Sequence, residues 1–195
     1  MPVLIVFLFL WAGCAAGSPP LLPAVPSPPL PDSEIIQVNV KPIVTQGIGS
    51  EDELKWGADI SAYFTGFEVR VINRTSEEIL YDAALARLTD EKGLSRSVLN
   101  EEESSRYYEI ANGETVMTLL PKPKELAEKE IQRIRVARIS SGKIAPGGRK
   151  EGILLFKKLH PEDCSKVVLE LNGITVAESG EVKIFSFPFT CDEKG

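Results

Sequence analysis

The chain has 195 residues, a formal net charge of −6, a pI ≈ 5.0 and a mean hydropathy close to zero. Its length supports one domain with a real core, even after a leader is subtracted. The acidic balance excludes recognition of nucleic acid, or of an anionic membrane face, by charge, and one histidine with three cysteines leaves little material for a catalytic dyad or a zinc site.

The first segment, Val3 to Trp11, is an unbroken apolar run that ends in Ala12-Gly13-Cys14. It is shorter than the ~20 residues that span a bilayer and has the length of a signal-peptide core followed by small residues. Ala12-Gly13-Cys14 resembles the lipobox of bacterial lipoproteins, with Trp11 where that family usually has Leu. The resemblance implies a signal peptide over 1–13 and a diacylated Cys14 that becomes the first residue of the mature chain. Several acyl chains, at ~0.8 kcal/mol per buried methylene, give durable anchoring. An ordinary secretory signal cleaved nearby is the alternative. Ala15, directly after the cysteine, resembles outer-membrane sorting, which implies the periplasmic side of that membrane in a host with two.

Residues 14–33 are expected to form a tether. Pro19, Pro20, Pro23, Pro26, Pro28, Pro29 and Pro31 forbid helix and favour polyproline II. Ser18 to Pro31 would reach roughly 40 Å at ~3.1 Å per residue. Two PxxP spacings also fit a proline-rich recognition ligand, but the position beside a lipidation site favours a semi-rigid stalk.

The domain is expected over 34–195. Ile36, Val38 and Val40, then Phe67, Val69 and Val71, then Val167, Leu169 and Leu171, and last Phe185, Phe187 and Phe189, alternate with their neighbours as half-buried antiparallel strands do. Phe67, Val69, Val71, Leu155, Leu169, Leu171, Phe185 and Phe187 are the expected core. Turns are predicted at Asn73-Arg74-Thr75, Glu91-Lys92-Gly93, Asn112-Gly113, Pro146-Gly147-Gly148 and Asn172-Gly173. Pro188 places the last strand at an edge or a bulge. Thr75 to Leu88 admits a helix or a strand, and is read as a strand with Ile79, Tyr81, Ala83 and Leu85 on one side. Pro123 to Ala137 is read as an amphipathic helix on Ala127, Ile131 and Ile134.

Phe67 to Thr75, Leu88 to Gly93 and Ile144 to Phe156 together resemble the single immunoglobulin-like β-sandwich of exported bacterial lipoproteins, and more distantly the water-stress, late-embryogenesis-abundant type. The implied fold is an antiparallel sandwich; the acidic, helical insert between Asn100 and Ala137, which holds the one amphipathic helix at Pro123 to Ala137, departs from the minimal pattern. The resemblance carries no catalytic residue and transfers no activity.

With Cys14 lipidated, Cys164 and Cys191 remain in an oxidising compartment, which predicts a disulfide. Strand parity would turn them to opposite faces unless a bulge, at Pro188 for instance, intervenes. His160 lies four residues from Cys164, but Pro161 breaks any helix that would pair them. Glu51-Asp52-Glu53 and Glu101-Glu102-Glu103 lack the ligand alternation of a calcium loop and read as solvated faces. Asn73-Arg74-Thr75 has glycosylation-acceptor spacing and is read as a hairpin turn. Trp56, Tyr63, Phe64, Tyr107 and Tyr108 are candidates for a binding edge or for core. No catalytic residue, cofactor, metal or nucleic-acid partner is expected. The functional expectation is a membrane-anchored envelope lipoprotein acting as a non-enzymatic interaction or structural module. The alternative is a small-ligand-binding or enzyme-accessory protein with a pocket beside the inserted helix.

Overall fold

The computed structural model describes residues 21–23, 36–44, 55–114, 123–159 and 165–191. Cys14, Glu51-Asp52-Glu53, His160 and Cys164 lie outside them, so the expectations that rest on those residues do too.

The fold is mainly antiparallel β in two facing sheets. The smaller sheet has the order β2-β3-β8, with β2 Ile36–Ile43, β3 Phe64–Asn73 and β8 Arg149–Lys157. The larger is organised around the long strand β9, Lys166–Val176. β10, Val182–Cys191, pairs along one side of β9. On the other side β4, Ile79–Tyr81, and β5, Arg87–Asp90, divide its length between them. β6 (Ser95–Ser97) extends β5, β7 (Gly142–Ile144) extends β4, and β1 (Leu21–Pro23) adds to the outer side of β10.

Between the sheets lies the main core. Phe67 packs on Phe156 edge-on at 5.9 Å and on Phe189 of the opposite sheet at 5.2 Å. Val69, Val71, Leu169 and Leu171 are buried here as expected. Phe185 and Phe187 are only half-buried at its margin. Among the described residues β10 has no strand on its outer side there.

A second apolar layer explains why Ile153-Leu154-Leu155-Phe156 is buried without alternation. Leu154 and Phe156 face the sandwich, while Ile153 and Leu155 face helices on the outer side of the smaller sheet. A strand covered on both faces reads as a continuous apolar run. The covering elements are α1 Ile60–Tyr63, α2 Glu101–Glu114 and α3 Lys124–Ala137. Gly66 makes room for α1, since a Cβ there would stand 3.0 Å from Ile60 Cγ2. Tyr63, Phe64 and Tyr108 are buried in this layer, with Trp56 and Tyr107 packed at its margin, so the five aromatics are packing residues and not a binding edge.

Three expectations need correction. The insert holds two long helices. α2 escaped notice because its buried face contains polar Ser104 beside Tyr108, and because Asn112-Gly113, expected as a turn, lies inside it. Its start is fixed by reciprocal bonds: Glu103 N donates to Asn100 Oδ1 at 2.9 Å and Asn100 N to Glu103 Oε2 at 2.8 Å. Glu101 pairs with Arg135 of α3 at 2.9 Å. The glutamate run is therefore a helix first turn, where the macrodipole favours acids.

Thr75 to Leu88 is neither one helix nor one strand. It is β4, a 3-10 turn at Ala83–Leu85, then β5. Asp82 caps the turn, accepting from Ala84 N at 3.0 Å, and Leu85 points to solvent. Asn172-Gly173 is likewise no turn. Asp82 N donates to Gly173 O at 2.7 Å, and a Cβ on Gly173 would meet the Asp82 carbonyl oxygen at 2.1 Å, so the glycine admits close approach within β9. The β9–β10 reversal comes at Ala177 to Gly180, with Gly180 at φ +68.

The third correction concerns the tether, because Leu21–Pro23 is a strand of the sheet, paired Leu21↔Cys191 to Pro23↔Phe189. Edge strands tolerate proline. Cys191 N donates toward β9, to Ser165 O at 3.1 Å, so by alternation the missing N–H of Pro188 faces the outer side. The same ladder continued would set Ala24 opposite Pro188 and Pro26 opposite Ser186, where each proline lacks a donor.

Asn73 closes β3 and crosses between sheets. It is fully buried, and its Nδ2 donates to Ile144 O at 2.9 Å and Glu77 O at 2.7 Å, while Oδ1 accepts from Thr75 N at 2.9 Å. With both amide N–H groups engaged, the sequon reading fails, and the turn joins the two sheets instead of forming a hairpin. Asn73→Ala should cost at least about 3 kcal/mol in denaturant unfolding, since each buried group left unpaired costs about 1–3 kcal/mol. A loss under about 1 kcal/mol would show that the amide is dispensable.

Asp90 terminates β5 and organises the turn to β6. Its carboxylate accepts from Lys92 N and Leu94 N at 3.0 and 2.9 Å and pairs with Arg96 at 3.0 Å. Burial pushes its pKa up, but the Leu94 N–H, the Arg96 guanidinium and the Lys92 N–H outweigh that and hold it below the usual carboxylate range. A depressed pKa contributes stability that is present at neutral pH and lost as pH falls through the folded value. The melting temperature should therefore fall in acid, below about pH 4. Asp90→Asn should melt lower at neutral pH and show a shallower acid limb.

Candidate functional site

At the end of the sandwich where β9 turns into β10, the sheets part around an open cleft of about 600 Å3. Three segments distant in sequence build it. β2 contributes its first residue, Ile36, which stands opposite Asn73. The turn after Asn73 contributes Thr75, Ser76 and Glu77. Thr75 Oγ1 accepts from Glu77 N at 3.0 Å, which fixes this turn. β9 supplies Val176, and the reversal into β10 supplies Ser179, Glu181, Lys183, Ile184 and Phe185. The β9–β10 register shifts between Lys183 and Phe185. The extra residue of this shift lies on β9, at Asn172-Gly173, and Ile184 and Phe185 line the cleft opposite it.

The chemistry of the cleft is mixed. Ile36, Val176 and Phe185 offer apolar surface, while three hydroxyls and two carboxylates stand around it. Lys183 Nζ is paired with Glu181. One carboxylate oxygen of Glu77 is buried without a hydrogen-bond partner. Such an arrangement can hold a ligand with an apolar body and a donor group, and among the described residues its lining includes no thiol or imidazole. Among the described residues, no group of three His, Cys, Asp or Glu could hold a metal ion.

Beside the cleft runs the outer side of β10. Beyond Phe189 no strand pairs with it among the described residues. Val182 is 56 % exposed and Ile184 63 %. The β8 edge of the smaller sheet is treated differently. The free side of β8 is capped, with Leu99 N donating to Leu155 O at 2.8 Å and Ile139 N to Ile153 O at 3.1 Å. Gly152 permits the second contact, since a Cβ there would lie 2.5 Å from Ile139 N.

Of the sequence-expected site residues only Cys191 is among the described residues, and it is not one of those that line the cleft. The cleft is lined by strands and their turns, not by α3, where the expected pocket would have been. Cys191 is buried and disulfide-bonded, and its partner lies outside the described residues. The register from Phe185 to Thr190 against Leu171 to Lys166 is unbroken, so the bulge expected at Pro188 occurs instead at Lys183–Phe185. Neither cleft nor edge carries a sequence motif. The nearest signal was the alternation of β10, which locates a strand but not the free side of it.

No family model matches this chain. No curated protein matches it either. Among solved structures, an X-ray structure of the Northeast Structural Genomics Consortium target SoR45 is similar to 82% of this chain over 86% of its own, at 11% identity and a TM-score of 0.32.

Proposed function

We propose that this chain is a lipoprotein of a bacterial cell envelope, held to the membrane by an acylated Cys14, and that its β domain works by binding a protein partner and not by catalysis. The anchor rests on Ala12-Gly13-Cys14 and the apolar run before it. The observation that carries the binding role is the outer side of β10. Among the described residues it has no strand partner beyond Phe189 and bears exposed Val182 and Ile184, the kind of edge to which an extended peptide adds as a further strand. Backbone left open along an edge strand invites such pairing.

Cys14→Ser should move the protein from the membrane pellet to the soluble fraction and abolish acyl labelling. Retention of the variant in the pellet, with no label on the unsubstituted protein, would dismiss the anchor. A photocrosslinker at Ile184 of the envelope-resident protein should give a discrete protein adduct that disappears in a Ser186→Pro background. Ser186 turns its N–H outward, so proline removes a donor from the free edge without touching the β9 ladder. An adduct indifferent to Ser186→Pro, or one formed only within the chain, counts against strand addition.

The bond of Cys191 belongs to the same reading. Cys164 directly precedes Ser165, whose carbonyl accepts the Cys191 amide, and we assign it as the partner. Closing that loop contributes roughly 3–4 kcal/mol on the entropic model. Cys164→Ser should lower the melting temperature of oxidised protein and free one titratable thiol. Two reactive thiols in the folded, exported chain would exclude the pairing.

A second reading, small-ligand binding, is favoured by the cleft and the unpartnered Glu77 oxygen within it. Sequestered small molecule recovered with the purified protein, lost in a Glu77→Gln variant of unchanged stability, would select it over strand addition.

A further inference from the structure

We infer that the domain stands on the membrane with the Glu91–Leu94 turn and the Ser165–Lys166 end of β9 toward the lipid headgroups, and with the cleft opening on the far side. The inference rests on the proposed acylation of Cys14 and on the register of β1.

Among the described residues Leu21 is the first that pairs in the sheet, and its partner is Cys191 at the end of β10. The same end carries Ser165 and Lys166, and the turn after Asp90, which is tied to it by Glu91 N donating to Lys166 O at 3.1 Å and by Ser165 Oγ donating to Glu91. Cys14 and Leu21 are separated by seven residues of chain. Fully extended, that leash reaches at most about 25 Å, and as polyproline about 22 Å. The cleft lies at the opposite end of β9 and β10, beyond Val176 and Val182. Lys166 to Val176 covers about 33 Å at ~3.3 Å per residue.

Those two lengths decide the orientation. A domain turned with the cleft against the bilayer would hold Leu21 about 33 Å from it, beyond the leash. The upright placement needs no stretch at all. Charge does not set this direction, because the chain is acidic overall. The membrane-facing end nevertheless offers exposed Lys92 and Lys166 and a 57 % exposed Leu94, which suit contact with phospholipid headgroups.

The test uses the full-length acylated protein in vesicles of phosphatidylethanolamine and phosphatidylglycerol with a trace of rhodamine-headgroup lipid. A donor fluorophore is placed at Lys92→Cys or at Ser179→Cys, with the unsubstituted chain treated in parallel as the labelling control. Energy transfer should be severalfold stronger from position 92. A long Gly-Ser insertion after Gly17 should shrink that difference, since the leash then no longer discriminates. Equal transfer from the two positions, or stronger transfer from position 179, overturns the orientation while leaving the anchor intact. A chain that takes up no acyl label and does not float with vesicles overturns the anchor, and the orientation falls with it.

Discussion

The two sheets are held in relation to one another by the side chain of Asn73. It sits where β3 ends and the chain must leave the smaller sheet for the larger one. Its own backbone closes on the Pro146–Gly148 turn, with Asn73 N donating to Gly148 O at 2.9 Å and Gly147 N to Asn73 O at 2.8 Å. Its side chain then reaches the last residue of β7 and the approach to β4. An amide is suited to this place because it offers two donors and one acceptor in a fixed plane, and all are used. The first wall of the cleft is a by-product of this geometry, since Thr75 to Glu77 are placed by the crossing.

The smaller sheet serves two cores at once. Phe67 and Leu154 turn into the sandwich, and Phe64 and Leu155 turn into the helical layer. The helices are joined to one another and to the sheet by polar contacts at their edges. Tyr108 Oη donates to Glu130 at 2.6 Å, and burial together with that carboxylate pushes the phenol well above its usual range. Arg133 donates to Gly57 O at 2.7 Å, and Arg138 donates to Leu99 O and to Ser104. Burial lowers the Arg138 pKa against the opposing pull of Glu101 and Glu103. The helical side of the molecule is thus closed off by specific bonds, whereas the outer side of β10 from Val182 to Pro188 has no strand partner among the described residues.

Alternation in the sequence located β2, β3, β9 and β10, and period 3.6 located α3, because in each case burial on one face dominates the choice of residue. It failed where a different constraint ruled. Gly173 and Gly152 look like turn or breaker residues, yet each sits in a strand to admit a neighbouring backbone. α2 buries a serine where the pattern needs an apolar residue. Leu21–Pro23 reads as linker because proline is scored as a breaker, whereas an edge strand needs donors on one side only. The cleft was illegible for a simpler reason. Ile36, Glu77, Val176 and Phe185 meet only after the sheets face each other, and no local pattern encodes that meeting.

The pairing of Leu21 with Cys191 also has a kinetic side. It joins residues from opposite ends of the described chain, and Phe67 against Phe189 is nearly as remote in sequence. Contacts of such separation are late events, since the loop between them must close before they return any free energy. A chain that emerges from its amino terminus first therefore cannot complete the larger sheet until β10 has followed, and β9 spends that interval with one side unpaired. The order of synthesis and the order of assembly run in opposite senses, so the protein holds its final shape only once almost its entire length is available.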